Sequence, residues 1–339
     1  MKSIEKQNIA ARDIILDNIR GLFVLMFIAS HAIVGMLGAD TPLPLLHAYS
    51  VNHIGIAWWG FNLNDLAPVA FMFLLGFIIY PVFERKYERA GKRAFRNHLV
   101  RYLALNGISL TAIFIQYRAW GVNDGWSFIC DVATTAIFMT PFLTKPFRES
   151  TALKFIAGAV LVTLYGIFYG PLIQYLGAPD PQQGAGIGAC IGYTGIVLVV
   201  AGFGDLLRKK RAHYYIGVGV LYLIGLLCTR VLMSPEDGVW GTYSVLWMVG
   251  SLSKVFVIFT ILWAACHYLL KGRPIWGLVT IGRNLLLYIL IALLVMLIPI
   301  IQSVDSIGPW RTTVYTCMII TFCLVLTIPL EKKKVTVKL

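Results

Sequence analysis

Charge is scarce in this chain, and acid is scarcer than base. Charged residues make up 13% of the 339, with 16 Asp or Glu against 29 Lys or Arg. Soluble domains carry about twice that share, so a water-facing globule is excluded. Mean hydropathy of +0.76 and an apolar content of 58% point to lipid instead. Cysteine occurs at 130, 190, 228, 266, 317 and 323, never as C-x-x-C or at paired spacing. A disulfide framework or a zinc site is therefore not expected, and these residues read as small apolar fillers. Period-two alternation is missing from the apolar runs, which removes a β-barrel as a rival. No connection is long enough for a soluble domain. A cleaved signal peptide is not expected, because Asp17 and Arg20 abut the first apolar run and no small-x-small site follows.

What the chain has in quantity is apolar runs of bilayer length. They lie near 20–38, 64–83, 99–117, 127–144, 152–170, 185–207, 214–233, 243–270, 284–301 and 312–330. The expected fold is all-α, a polytopic membrane helix bundle of about ten transmembrane helices. Base is concentrated in alternate connections: the N-terminus, 84–101, Lys145 and Arg148, Arg208–Arg211, Lys271 and Arg273, and the tail. The segments 39–63 and 171–184 hold no Lys or Arg. The positive-inside rule then places both termini in the cytoplasm of a cell-membrane protein, with 1–339 forming one integral-membrane domain. On this reading the net charge of +13 records topology and attraction to anionic lipid, and nucleic-acid binding is excluded.

Two stretches stand out. Arg12 to His31 opens the first span with acid and base and carries an imidazole to mid-depth, where ionisable groups are expensive. Arg20 and His31, eleven residues apart, fall on one helical face roughly 16 Å from each other. His31 is read either as part of a polar path or as a hydrogen bond gluing two helices. The outer segment 39–63 has two histidines, adjacent tryptophans, two asparagines (with a third, Asn64, just beyond) and no basic residue. Long loops of this kind tend to carry function, though tryptophans there also fit an interfacial belt.

These residues resemble a superfamily of transmembrane acyltransferases. L-D-x-x-R-G at 16–21 is similar to its opening, and the spacing of Arg20 and His31 is similar to a pair in the acyltransferase-three branch. W-W-G-F-N-L-N-D-L-A-P-V-A-F-M-F-L-L-G-F (58–77), followed by a basic inner loop, resembles the heparan-α-glucosaminide N-acetyltransferase branch. G-R-N-L-L-L-Y (282–288) is similar to that branch's G-x-N-x-L-x-x-Y signature, and the likeness touches most of the chain in order. The resemblance implies an acetyl-CoA or other acyl-CoA donor, a carbohydrate or amine acceptor, and no metal. It also implies a catalytic histidine about ten residues before the D-L motif. His53 stands twelve before Asp65, and the branch has asparagine where this chain has His31, so both histidines remain candidates. The long outer insertion of the heparan enzyme is missing, and heparan is not implied as substrate.

Imidazole suits such chemistry because its ordinary pKa, about 6.5, lies near working pH, and it serves as base or as nucleophile. Asp65, with Pro68 close behind, reads as a helix cap or as a group that orients His53 or binds the acceptor. At the cytoplasmic side the donor's phosphates would want cations, and Arg20 and Arg283 abut recognisable motifs. Asn284 reads as a donor to the thioester or pantetheine, or as a cap of the span beginning there. Lys254, well inside the eighth span, is a further candidate for phosphate or for an acid such as Asp131. The rival reading is a secondary transporter or flippase, with a non-catalytic scaffold third. Membrane lipids are expected partners under each reading, and the sequence leaves homo-oligomerisation open.

Overall fold

A computed structural model of the chain describes residues 14–26, 28, 63–120, 128–176, 186–229, 245–284, 287–288 and 309–333. The described residues are helical, with no strand among them. In chain order the helices are α1 (14–26), α2 (Leu63–Ala90), α3 (Arg93–Trp120), α4 (Phe128–Phe138) and α5 (Thr151–Leu176). There follow α6 (Gly186–Lys209), α7 (Arg211–Leu227), α8 (Val245–Ala264), α9 (Leu278–Arg283) and α10 (Pro309–Lys332). They fall into two compact units, one of Met1–Ala67 with Val257–Leu339 and one of Pro68–Phe256.

Three segments among the described residues are long and apolar enough to cross a bilayer: Thr151–Phe168, Gly186–Lys209 and Val245–Leu269. Large apolar side chains are turned outward in both units. Ile156, Val160 and Ile167 on α5, Ile216 and Leu223 on α7, and Phe322 on α10 are all exposed. In water such faces would be untenable at this density; against lipid they cost nothing. This is the construction of a membrane protein.

The core of the Pro68–Phe256 unit is the α5–α6 pair. A methyl on Gly158 would come within 2.8 Å of the Gly195 carbonyl oxygen, and one on Gly195 within 2.7 Å of that of Gly158. Backbone therefore meets backbone at the crossing, the close approach that small residues permit in lipid. Aromatics close the remaining space, with Phe155 over Gly202 and Tyr165 over Gly192. Phe203 and Phe73 both pack on Phe256, at ring-centroid distances of 4.5 and 4.7 Å.

Local chemistry ends the helices where apolarity does not. Helix α2 runs seven residues beyond its apolar window and stops at Gly91, whose positive φ of 55° turns the chain into α3. Asp65 is the third residue of α2, and Pro68 the sixth. The helix thus starts two residues ahead of the expected cap, and Pro68 stands in its second turn. Helix α4 stops at Phe138, short of its window, and a tight turn over Thr140–Leu143 with Pro141 follows.

Just ahead of the 99–117 apolar run, His98 is buried with its Nε2 2.9 Å from the Ala136 carbonyl oxygen. A carbonyl only accepts, so Nε2 carries the proton. Phe83 and Tyr102 rings pack on the imidazole, and Lys86 and Arg101 face it. Burial pushes His98 below its ordinary pKa; the Ala136 bond opposes this and the two cations reinforce it. The unfolded ring takes its proton near pH 6.5, whereas the folded ring resists until lower pH. Stability from the neutral ring is therefore full above about pH 6.5 and declines as pH falls below it. The unfolding temperature in detergent should drop with acidification through that range more steeply in the wild type than in His98→Gln; equal slopes would refute the assignment.

Candidate functional site

The first and last motifs of the chain meet in the Met1–Ala67/Val257–Leu339 unit. Asp17, nearly buried on α1, is the meeting point. Its Oδ1 accepts from Arg20 Nη1 at 3.0 Å, and its Oδ2 accepts from Arg283 Nε at 3.0 Å. One carboxylate thereby sets two guanidiniums side by side across 266 residues of sequence. The Arg283 side chain is 51% exposed, so its forked N–H groups remain open to a ligand.

Asn18, the next residue, is buried and pins the connection between α8 and α9. Its Nδ2 donates to the Arg273 carbonyl at 3.0 Å, and its Oδ1 accepts from the Ile275 N–H at 3.0 Å. That connection needs left-handed backbone at Lys271, Gly272 and Gly277, with φ of 51°, 71° and 77°. Gly21 lies against the Leu278 carbonyl and Gly282 against that of Asp17, with no room for a side chain at either. Thus the D-N-x-R-G run of α1 holds the G-R-N run at the end of α9 by carboxylate and bare backbone, and the connection before α9 by the Asn18 amide.

Behind the arginines lies a polar seam. The Thr280 hydroxyl donates to Glu331 Oε1 of α10 at 2.5 Å, and Asn284 Nδ2 donates to the Thr280 carbonyl at 2.9 Å. Asn284 therefore terminates α9, with φ −110° and ψ 30°. Its amide is directed back to the preceding turn, a C-terminal role in place of the expected helix start. Two guanidiniums facing a single carboxylate, with Lys271 and Arg273 on the pinned connection, leave this region positive. Such a set suits a phosphorylated or carboxylated ligand by bidentate, charge-assisted hydrogen bonds.

Of the residues read from sequence, Arg20, Arg283 and Asn284 come together here. Lys254 lies in the other unit, buried in α8 one turn after Ser251. Asp131 is buried at the start of α4, with Cys190 Sγ 3.8 Å from its Oδ1. His31 and His53 lie outside the described residues, as does the side chain of Asp65. Asp17 and Asn18 went unassigned in the sequence, although L-D-x-x-R-G contains both. Also missed was a buried pair in the other unit: Lys154 Nζ to Asp205 Oδ2 at 2.5 Å, with the Tyr80 ring 4.2 Å from the ammonium. Among the described residues no group of His, Cys, Asp or Glu is arranged to hold a metal ion. Comparison with family models and with curated proteins finds no match to this chain.

Proposed function

We propose that this chain is a membrane-embedded acyltransferase, of ten spans with both termini cytoplasmic. It takes an acyl group, acetyl in the first instance, from acyl-CoA inside and delivers it to an extracytoplasmic sugar, glycan or amine. The observation that carries this reading is the convergence of two acyltransferase-like motifs on Asp17, which presents Arg20 and Arg283 together. In this scheme the arginines take the donor's phosphates, and a histidine, His31 or His53, removes the proton from the attacking hydroxyl or amine. The acceptor then displaces the CoA thiolate from the thioester carbon.

Purified protein in detergent should hydrolyse or transfer acetyl from acetyl-CoA. Arg283→Ala should raise the KM for acetyl-CoA about 10-fold to 100-fold, the loss of a charge-assisted hydrogen bond, with a smaller effect on kcat. His31 and His53, changed singly, identify the base; full activity in both variants would remove it from the scheme. An Arg283→Ala enzyme with an unaltered KM would detach the arginines from the donor.

A second reading draws on a different observation. Lys154 and Asp205 form a buried ion pair within helices of membrane-spanning length, and intramembrane ion pairs also line transport paths. Solute uptake by the protein in vesicles without any acyl-CoA would favour that reading.

A further inference from the structure

Thr280, Asn284 and Tyr288 follow one another at intervals of four and so share one helical face. Their exposures fall from 8% to 2% to 0%. The Tyr288 N–H donates to the Asn284 carbonyl at 3.2 Å, which carries the helical pattern past the irregular Asn284 backbone. Thr280 and Asn284 spend their donors on Glu331 and on the Thr280 carbonyl. The Tyr288 hydroxyl differs: it is fully buried and has no hydrogen-bond partner among the described residues. A buried hydroxyl left unpaired costs about 1–3 kcal/mol, a cost that native proteins offset where a ligand supplies the missing acceptor.

We propose that the Tyr288 hydroxyl donates a hydrogen bond to the carbonyl oxygen of the acyl donor's thioester, a role that rests on the acyltransferase reading. When the acceptor oxygen or nitrogen bonds to the carbonyl carbon, negative charge grows on that oxygen. The C–S bond then breaks, the thiolate leaves, and it takes up the proton that the base removed from the acceptor. Tyr288 stabilises the charge throughout and keeps its own proton.

The test is Tyr288→Phe, which removes one oxygen and leaves the ring. Acetyl transfer should lose about 10²–10³-fold in kcat, the usual effect of deleting one oxyanion donor. The KM for acetyl-CoA should stay within about twofold, because the phosphates bind elsewhere. The unfolding temperature should be unchanged or higher, since the lost hydroxyl had no protein partner. Full transfer by the variant would overturn the assignment, as would a variant whose unfolding temperature falls, which reveals a structural bond. Wild-type protein that neither transfers nor hydrolyses acetyl from acetyl-CoA would overturn the acyltransferase reading itself, a distinguishable failure.

Discussion

Asp205→Ala and Lys154→Ala should each destabilise the protein by about 3–5 kcal/mol, the cost of leaving one buried charge without its partner. The Lys154 side chain is 1% exposed and that of Asp205 8%, so water cannot take over either charge. Further groups surround the pair. Lys154 Nζ also donates to the Arg148 carbonyl at 3.4 Å and sits over the Tyr80 ring. Asp205 accepts from the Thr151 hydroxyl at 3.1 Å and has Arg208 Nη1 at 3.9 Å. Four segments are thereby joined at one point: α2, the short helix Lys145–Glu149, α5 and α6. Unfolding in detergent checks the expectation, and Lys154→Met/Asp205→Leu should recover most of the loss because apolar replacement avoids the desolvation of both charges. Single variants that lose under about 1 kcal/mol would place the pair in a wetter setting than its geometry indicates.

Neither residue was conspicuous in the sequence, and the reason is physical. Lys154 follows Lys145 and Arg148, and Asp205 precedes Arg208–Arg211, clusters that inner-surface topology alone explains. Only their approach across 51 positions makes them a pair. The helices themselves were legible where apolarity sets their length. The expected 185–207 is observed as Gly186–Lys209, and 152–170 as Thr151–Leu176. Ends were less legible. Hydropathy falls at the membrane surface, whereas α2 continues through E-R-K-Y-E-R-A, residues with good helical propensity, until Gly91 permits the turn. At the candidate site the motifs contain the two arginines that meet on Asp17 but do not say what joins them. Nothing in the spacing of L-D-x-x-R-G says that its aspartate reaches Arg283 or that its neighbour Asn18 pins Arg273 and Ile275. Contacts of that range are set by packing, and packing here runs through two glycines.

Those glycines give the second large expected effect. A methyl on Gly282 would overlap the carbonyl of Asp17, and one on Gly21 the carbonyl of Leu278. Backbone cannot rotate away as a side chain can, so α1 and α9 must separate. Overpacking in a filled core typically costs about 1–3 kcal/mol, and contact with backbone belongs at or above the upper end. Gly282→Ala should therefore lower the unfolding temperature. Under the proposed function it should also weaken acetyl-CoA binding, because the displaced residue is the one that aligns Arg20 with Arg283. Gly219→Ala is the matched control: no atom lies within 4 Å of a methyl there, and alanine inside a helix gains up to about 1 kcal/mol over glycine. The two alanines should thus move stability in opposite directions. Asp17→Asn separates the remaining terms, since it keeps the close backbone approach and removes only the charge that holds the guanidiniums. Binding lost in Asp17→Asn with the fold retained, and both lost in Gly282→Ala, is the expected pattern. A Gly282→Ala protein as stable as the wild type would mean that α1 and α9 do not meet through these glycines.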